Sequence, residues 1–329
     1  MSKEEQALAK LLASPVKPEQ LELFAECAQG VISTNNKHLY ALQLEETGSA
    51  EEKKMPVTAY DGTAVPAYSF KRYLERIAKY TQLPAVFFVL AFIYMDRIAA
   101  TPRTEFLRRY GTAMKQKNNG NGGDDEWESD SEEKKGTNDA KQQPKKEDVI
   151  AQQAEKLETE GNTMTWWEDH VYLSDLNLHR MFLACLVTAI KFWSDKFYDN
   201  AVYGKIGGVS AEEMQTLEIS TLLWLDFNLI VDENSFVTKH RPLDISHADS
   251  PRPSFHWHEN TNMLPSLLIP TLVSKLSLLV DNDEIDFDSI LADSPDESPR
   301  LLSSSASLFS KTPLSFDKLI EILATATFY

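Results

Sequence analysis

A chain of 329 residues that is 42% apolar is long enough for one or two domains with a real core. Its formal charge of −17 is unevenly placed: residues 111–169 carry −7 and residues 232–329 carry −8, which leaves −2 for everything else. A near-neutral folded part excludes a general binder of nucleic-acid phosphates, which needs clustered Lys and Arg, so no nucleic-acid partner is expected.

Residues 1–64 read as a helical N-terminal extension, weakly helical over 3–13. Ser14-Pro15-Val16-Lys17 has the form of a proline-directed kinase site. Pro18 suits a first helical position. Leu21, Phe24, Ala25, Ala28 and Val31 then recur at helical spacing, and Gly30 is expected to weaken or end that helix. Residues 38–44 add a turn or two, and 48–56 are a charged breaker segment.

Ser69 is placed to cap the next helix. Phe70, Tyr73, Leu74, Ile77 and Tyr80 follow as one apolar stripe, with Lys71, Arg72, Glu75 and Lys79 off it. Pro84 disfavours helical geometry in the residue before it, so this helix stops near Gln82. Pro84 then opens a helix that is apolar on every face over residues 85–95, the pattern of a helix buried in mid-domain. That run of 11 residues is too short to span a bilayer, and no membrane partner is expected. Thr101-Pro102 ends it.

Residues 111–165 read as an acidic insertion. Asn118-Asn119-Gly120-Asn121-Gly122-Gly123 precedes Asp124-Asp125-Glu126, and apolar content is sparse before Val149. Such a composition is expected to stay disordered, with at most a short helix over 149–157. Deleting residues 115–160 is accordingly expected to change thermal stability by only a few degrees.

Order returns near Trp166. Residues 176–193 form a second strongly buried helix, which makes Cys185 a small packed side chain. Residues 199–206 form a short helix closed by Gly207-Gly208. Ser210 with Glu213 is a capping-box start, and helical spacing continues as far as Phe227. No useful stretch alternates with period two, so the fold is expected to be all-α. Residues 232–329 read as an acidic, Ser/Pro-containing and partly disordered tail, with one terminal helix over 314–328. Ser250, Ser294, Ser298 and Thr312 each precede Pro there. Ser14, Ser250 and Ser298 are candidate phosphosites, the alternative being chance, since Ser-Pro pairs are common in loops.

The stretch Val65-Pro66-Ala67-Tyr68-Ser69-Phe70-Lys71-Arg72-Tyr73-Leu74-Glu75-Arg76-Ile77-Ala78-Lys79-Tyr80, followed by Tyr94-Met95-Asp96-Arg97, resembles the opening of a cyclin box of the P/U (phosphate-signalling) type. Leu183-Ala184-Cys185-Leu186-Val187-Thr188-Ala189-Ile190-Lys191-Phe192 resembles the third helix of that box. The segment from Leu217 to Leu229 resembles the fifth. The resemblance implies a single five-helix box over residues 65–231, interrupted by the insertion, with no chemistry and no cofactor of its own. Its implied partner is a cyclin-dependent Ser/Thr protein kinase, which it would activate by holding the kinase αC helix, in cell-cycle or nutrient and phosphate signalling. The residues it implies for kinase binding are Lys191 and Glu218, with Phe192, Leu222, Phe227 and Leu229 as apolar anchors. A solvated ion pair is the plain alternative for the first two, and core packing for the others. Thr188 stands where an apolar residue is common.

Tyr73, Arg76, Ile77, Tyr80, Asp96 and Arg97 are then signature residues of the scaffold, mostly core. The resemblance further implies that Asp96 pairs with an Arg on the first box helix, either Arg76 or Arg72. The M-R-A-I-L motif of mitotic cyclins is absent, so substrate docking through that patch is not expected. A cyclin-fold adaptor or transcription-related module without a kinase partner is the rival reading.

Enzyme signatures are missing: there is no Walker loop, dinucleotide fingerprint or H-E-x-x-H. Gly204-Lys205-Ile206-Gly207-Gly208 reads as a helix stop. His247, His256 and His258 lack companions at metal-ligand spacing, so no metal is expected. Two cysteines, Cys27 and Cys185, make no disulfide framework, and the N-terminus lacks a signal-peptide core. An intracellular setting, in cytoplasm or nucleus, is expected.

Overall fold

Helices are the only regular elements among the described residues, apart from one isolated bridge between Pro15 and Pro84. The computed structural model describes residues 9–10, 12–47, 57–119, 146–165 and 168–231, together with 268–269, 272, 275, 318 and 321–322. The candidate phosphosites Ser250 and Ser298, and His247, His256 and His258, lie outside them.

Helix α1 spans Pro18–Thr47. Gln20 reaches back to accept from the Lys17 amide at 2.8 Å, half of a capping box around Pro18. The helix passes through Gly30 without a break. A glycine there costs about 1 kcal/mol, but Leu21, Phe24, Cys27, Ala28, Val31 and Ile32 on both sides of it are buried, and their packing decides. Burial also pushes the Cys27 thiol up to about 11.

Helix α2, Phe70–Thr81, begins where Ser69 accepts from the Arg72 amide. It ends at Gln82, which takes φ 50°. Phe70, Tyr73, Leu74 and Ile77 are buried as expected, but Tyr80 is 61% exposed. Tyr80 sits in the last turn, past the point where the stripe meets its neighbours, with the Lys79 ammonium over its ring. Tyr73 donates to Gly207 O at 3.3 Å and Arg76 to Lys205 O at 3.0 Å, which ties α2 to the fourth box helix.

Helix α3, Ala85–Ala100, is buried at every position from Ala85 to Ala99. Residues 14–16 lie along its entry: Val16 donates to Leu83 O at 3.2 Å and Ala85 donates to Ser14 O at 3.0 Å. Ser14 is thus part of an ordered seam. Four helices meet in an aromatic cluster at the centre. Phe24 of α1 lies 5.9 Å from Phe88 and 5.4 Å from Phe92, while Phe182 lies 5.4 Å from Phe70 and 5.5 Å from Phe92.

The insertion is not uniformly without structure. Helix α4, Arg103–Asn119, leaves α3 at a bend of 98°, and α5 covers Lys146–Glu160. Two signals hold α4, and neither is local. Asp169 accepts from the Thr104 amide at 2.8 Å and from its hydroxyl at 3.2 Å, capping the helix from 65 residues away. Phe106 stacks on Trp224 at 4.2 Å and 4°. Buried Arg103 donates to Glu168 O and Val57 O; burial lowers its guanidinium to about 10, against the pull of Asp61, Asp169 and Glu168, so it stays charged at neutral pH. Ile150 and Ala154 of α5 are buried against α4, and Lys146 bonds to Asp61 O. Both flanks of the insertion therefore belong to the fold, and removing residues 115–160 would open its core. Residues 120–145 lie outside the described residues.

The rest of the box is α6 (Leu178–Trp193), α7 (Asn200–Gly207) and α8 (Ala211–Trp224). Asp199 caps α7 by accepting from the Val202 amide, and Ser210 caps α8 by accepting from the Glu213 amide. Gly208 closes α7 at φ 79°, while a side chain at Gly207 would meet the Leu183 side chain of α6, which would have to shift. Cys185 is fully buried in α6 as expected, and burial pushes its thiol up. Thr188 is also buried, and its hydroxyl meets no partner among the described residues.

Candidate functional site

The last turn of α6 carries Ile190-Lys191-Phe192-Trp193. Ile190 is buried and Trp193 donates to the Tyr94 hydroxyl at 2.9 Å, which fixes the turn. Lys191 emerges beside them, where a cation also suits the negative end of the helix dipole. Glu218 faces it from mid-α8. Lys191 Nζ donates to Glu218 Oε1 at 2.7 Å and to Oε2 at 2.8 Å. Its third contact is Asn200 Oδ1 at 2.7 Å, and Asn200 Nδ2 in turn donates to Glu218 Oε2 at 2.8 Å.

The structure thus joins the two predicted residues and adds a third. Asn200 opens α7, so three helices converge on one charged network. The side chains of Lys191 and Glu218 are 25% and 16% exposed, which keeps them in reach of a partner and partly shielded from water. All three ammonium protons are engaged, whereas the carboxylate has acceptor capacity left. Chemically, the trio can offer an acceptor to an incoming amide, and a cation to an incoming carbonyl if the ammonium exchanges one of its present bonds, such as that to Asn200. Among the described residues, no group of three or more His, Cys, Asp or Glu side chains is arranged to hold a metal ion.

The apolar residues singled out from the sequence divide. Phe192 is 45% and Phe227 65% exposed, Leu222 is half-buried, and Leu229 is buried. Leu229 is a packing residue whose carbonyl accepts from the Tyr94 hydroxyl at 2.7 Å. Exposed Ile219, next to Glu218, and exposed Phe197 and Tyr198, between α6 and α7, were missed by the sequence reading. Ile219 had one visible signal: it is an apolar residue off the buried stripe of its helix.

Helix α8 stops at Trp224 rather than at Phe227, because Asp226 and Phe227 take φ 55° and 54°. The left-handed region costs a non-glycine residue roughly 1–2 kcal/mol, so the turn needs support. Phe227 donates its amide to Leu222 O at 2.9 Å. Arg97 donates to Asn228 O at 3.1 Å and to Ile230 O at 2.8 Å, and so anchors the segment that follows.

Asp96 does not pair with Arg72 or Arg76. Arg72 and Arg76 are exposed, whereas Asp96 is buried and accepts the Leu268 amide at 2.7 Å and the Ile269 amide at 2.6 Å. Burial raises its carboxyl to about 7, against the two amides that lower it. Between the ordinary carboxylate range and about 7 the folded state therefore holds more protons than the unfolded one, so this group's contribution to stability falls as pH rises. The stability of the Asp96→Asn protein should gain about 3 kcal/mol on the parent between pH 5 and pH 8. Urea melts at the two pH values read this directly, and parallel pH curves would mean that Asp96 does not titrate there.

Comparison with known proteins bears on the same segments. The family model described as "Cyclin" matches residues 19–113 and 162–229, which covers α1 to α4 up to residue 113 and then α6 to α8. The chain belongs to the cyclin family, of the P/U type. Cyclin-P3-1 of Oryza sativa is 29% identical over 179 residues, 54% of this chain and 48% of its own. PHO85 cyclin-6 of Saccharomyces cerevisiae is 28% identical over 199 residues, 56% of this chain and 44% of its own. Cyclin-U3-1 of Arabidopsis thaliana is 25% identical over 182 residues, 55% of this chain and 52% of its own. This cyclin therefore spans about half the length of the curated relatives it matches. The gap in the family match, residues 114–161, falls on the end of α4 and on α5.

Proposed function

We propose that this cyclin is the regulatory subunit of a cyclin-dependent Ser/Thr protein kinase. The observation that carries the reading is the network of Lys191, Glu218 and Asn200 at the meeting of α6, α7 and α8, flanked in sequence by exposed Phe192 and Ile219. A cation and a carboxylate held side by side can bond a carbonyl and an amide of the same backbone segment, and charged partners strengthen both bonds. The start of the kinase αC helix has unpaired amides, and the segment leading into it has carbonyls outside the helix. Held there, αC would stay inward, with the kinase's ATP-binding Lys–Glu pair in register. The catalytic groups are all the partner's, and this chain is not an enzyme.

Relatives named PHO85 cyclins support a kinase partner of that class, and the P/U-type resemblance supports a role in cell-cycle or nutrient and phosphate signalling, inside the cell. Phe192 and Phe227 serve as apolar anchors, and half-buried Leu222 packs against the core. Leu229 acts through the core.

Affinity purification of the full chain from its native cells, with mass spectrometry of what is bound, tests the reading. Recovery of a stoichiometric protein kinase whose peptide phosphorylation rises when this cyclin is added back is the expected result. No kinase recovered, or a kinase indifferent to the addition, overturns it.

A further inference from the structure

Arg109 lies on α4, outside the five helices of the box, yet its guanidinium closes the end of α8. Nη1 donates to Leu223 O at 3.2 Å and to Trp224 O at 3.1 Å. Nε lies 3.5 Å from Asp226 Oδ1, and Nη2 lies 3.3 Å from Glu105 Oε1 of its own helix. One planar side chain thus bonds the last carbonyls of α8 and grips the first of the two residues forced into the left-handed region. Its own side chain is only 18% exposed. The next residue, Phe227, stands 65% exposed. It forms one wall of an open cleft of about 340 Å3, whose opposite wall is Arg108, Thr112 and Gln116 of α4. Strained backbone and exposed aromatic surface both work against folding, and both are maintained at one residue.

We propose that Arg109 is a positioning residue for kinase recognition: from α4, it locks the Asp226–Phe227 turn so that Phe227 is presented to the kinase. The inference rests on the kinase-binding reading above. It gives α4, a helix between the second and third box helices, a part in recognition. Arg109 is mostly buried by these contacts, so the inference requires its effect to pass through Phe227.

A double-mutant cycle on the full chain with its purified kinase decides the matter. Phe227→Ala is expected to weaken binding roughly 30-fold, as an exposed aromatic anchor does. Arg109→Met, which keeps the aliphatic stem, is expected to weaken it about tenfold, and the two together no more than Phe227→Ala alone, because coupled residues are not additive. Arg109→Lys should recover part of the loss, since an ammonium can meet Asp226 but cannot span both carbonyls. Amide exchange at residues 226–228 should quicken in Arg109→Met without the kinase present. Independent, multiplying losses would mean that Arg109 does not act through Phe227, and unchanged binding in Arg109→Met beside a clear loss in Phe227→Ala would overturn the inference outright. If Phe227→Ala and Lys191→Glu both bind as the parent does, the kinase reading itself fails and this inference falls with it.

Discussion

Reversing the charge of Lys191 or of Glu218 should weaken kinase binding roughly 100-fold, about 3 kcal/mol, as removal of a hydrogen-bonded interfacial charge does. Each single reversal also sets two like charges where 2.7 Å now separates opposite ones, so each should cost fold stability as well. The combined variant Lys191→Glu, Glu218→Lys separates the two effects. It restores an ion pair of the same geometry within the box, and Asn200 can still donate and accept. Its melting temperature should therefore return to within a few degrees of the parent. Its binding should not return, because a partner carbonyl would then face a carboxylate and a partner amide an ammonium. Calorimetry for the fold and titration with the kinase for binding read the two separately. A doubly reversed protein that binds normally would reduce the pair to an internal brace.

Ile150→Ala is expected to cost about 2–4 kcal/mol, the usual range for emptying a packed aliphatic site. For a folded unit of this size that is roughly 5–15 °C in melting temperature. The reason is that Ile150 is 3% exposed and belongs to the same continuous core as Phe106 and Tyr110 of α4. A Glu155→Ala control on the exposed side of α5 should change little. A drop of under about 2 °C in Ile150→Ala would mean that α5 is dispensable to the core.

Much of the box was legible because its signals are local. Ser69, Asp199 and Ser210 each cap the helix that follows, Pro84 separates α2 from α3, and Gly208 ends α7 in the left-handed region, all within a few residues of the boundary they set. Lys191 and Glu218 were legible by resemblance, and the structure joins them. The features that escaped share one property: their causes are far away in the chain. Helix α4 is capped by Asp169 and stacked on Trp224, so its own polar sequence could not announce it. Asp96 was assigned an Arg partner nearby, whereas its donors lie 172 and 173 residues on. Gly30 is a weak local breaker overruled by the burial of its neighbours. Nothing in Asp226-Phe227 itself announces two consecutive positive φ values, and the Arg109 guanidinium that meets Asp226 comes from another helix, 117 residues earlier in the chain. Asn200 is an unremarkable residue in sequence and acquires a role only where the end of α6, the start of α7 and the middle of α8 converge.

The two amides on Asp96 also bear on modularity. The region shared with other cyclins ends at residue 229, yet the carboxylate at the heart of α3 finds its donors at residues 268 and 269. A fragment cut at the family boundary would leave that carboxylate facing Met95, Ala99, Val171, Leu173 and Met181 with neither amide to receive it. What is shared among relatives and what is self-sufficient in this molecule are therefore different lengths of chain. The box has made part of its own interior dependent on residues that lie past the homologous segment, and any excision or domain graft has to carry them along.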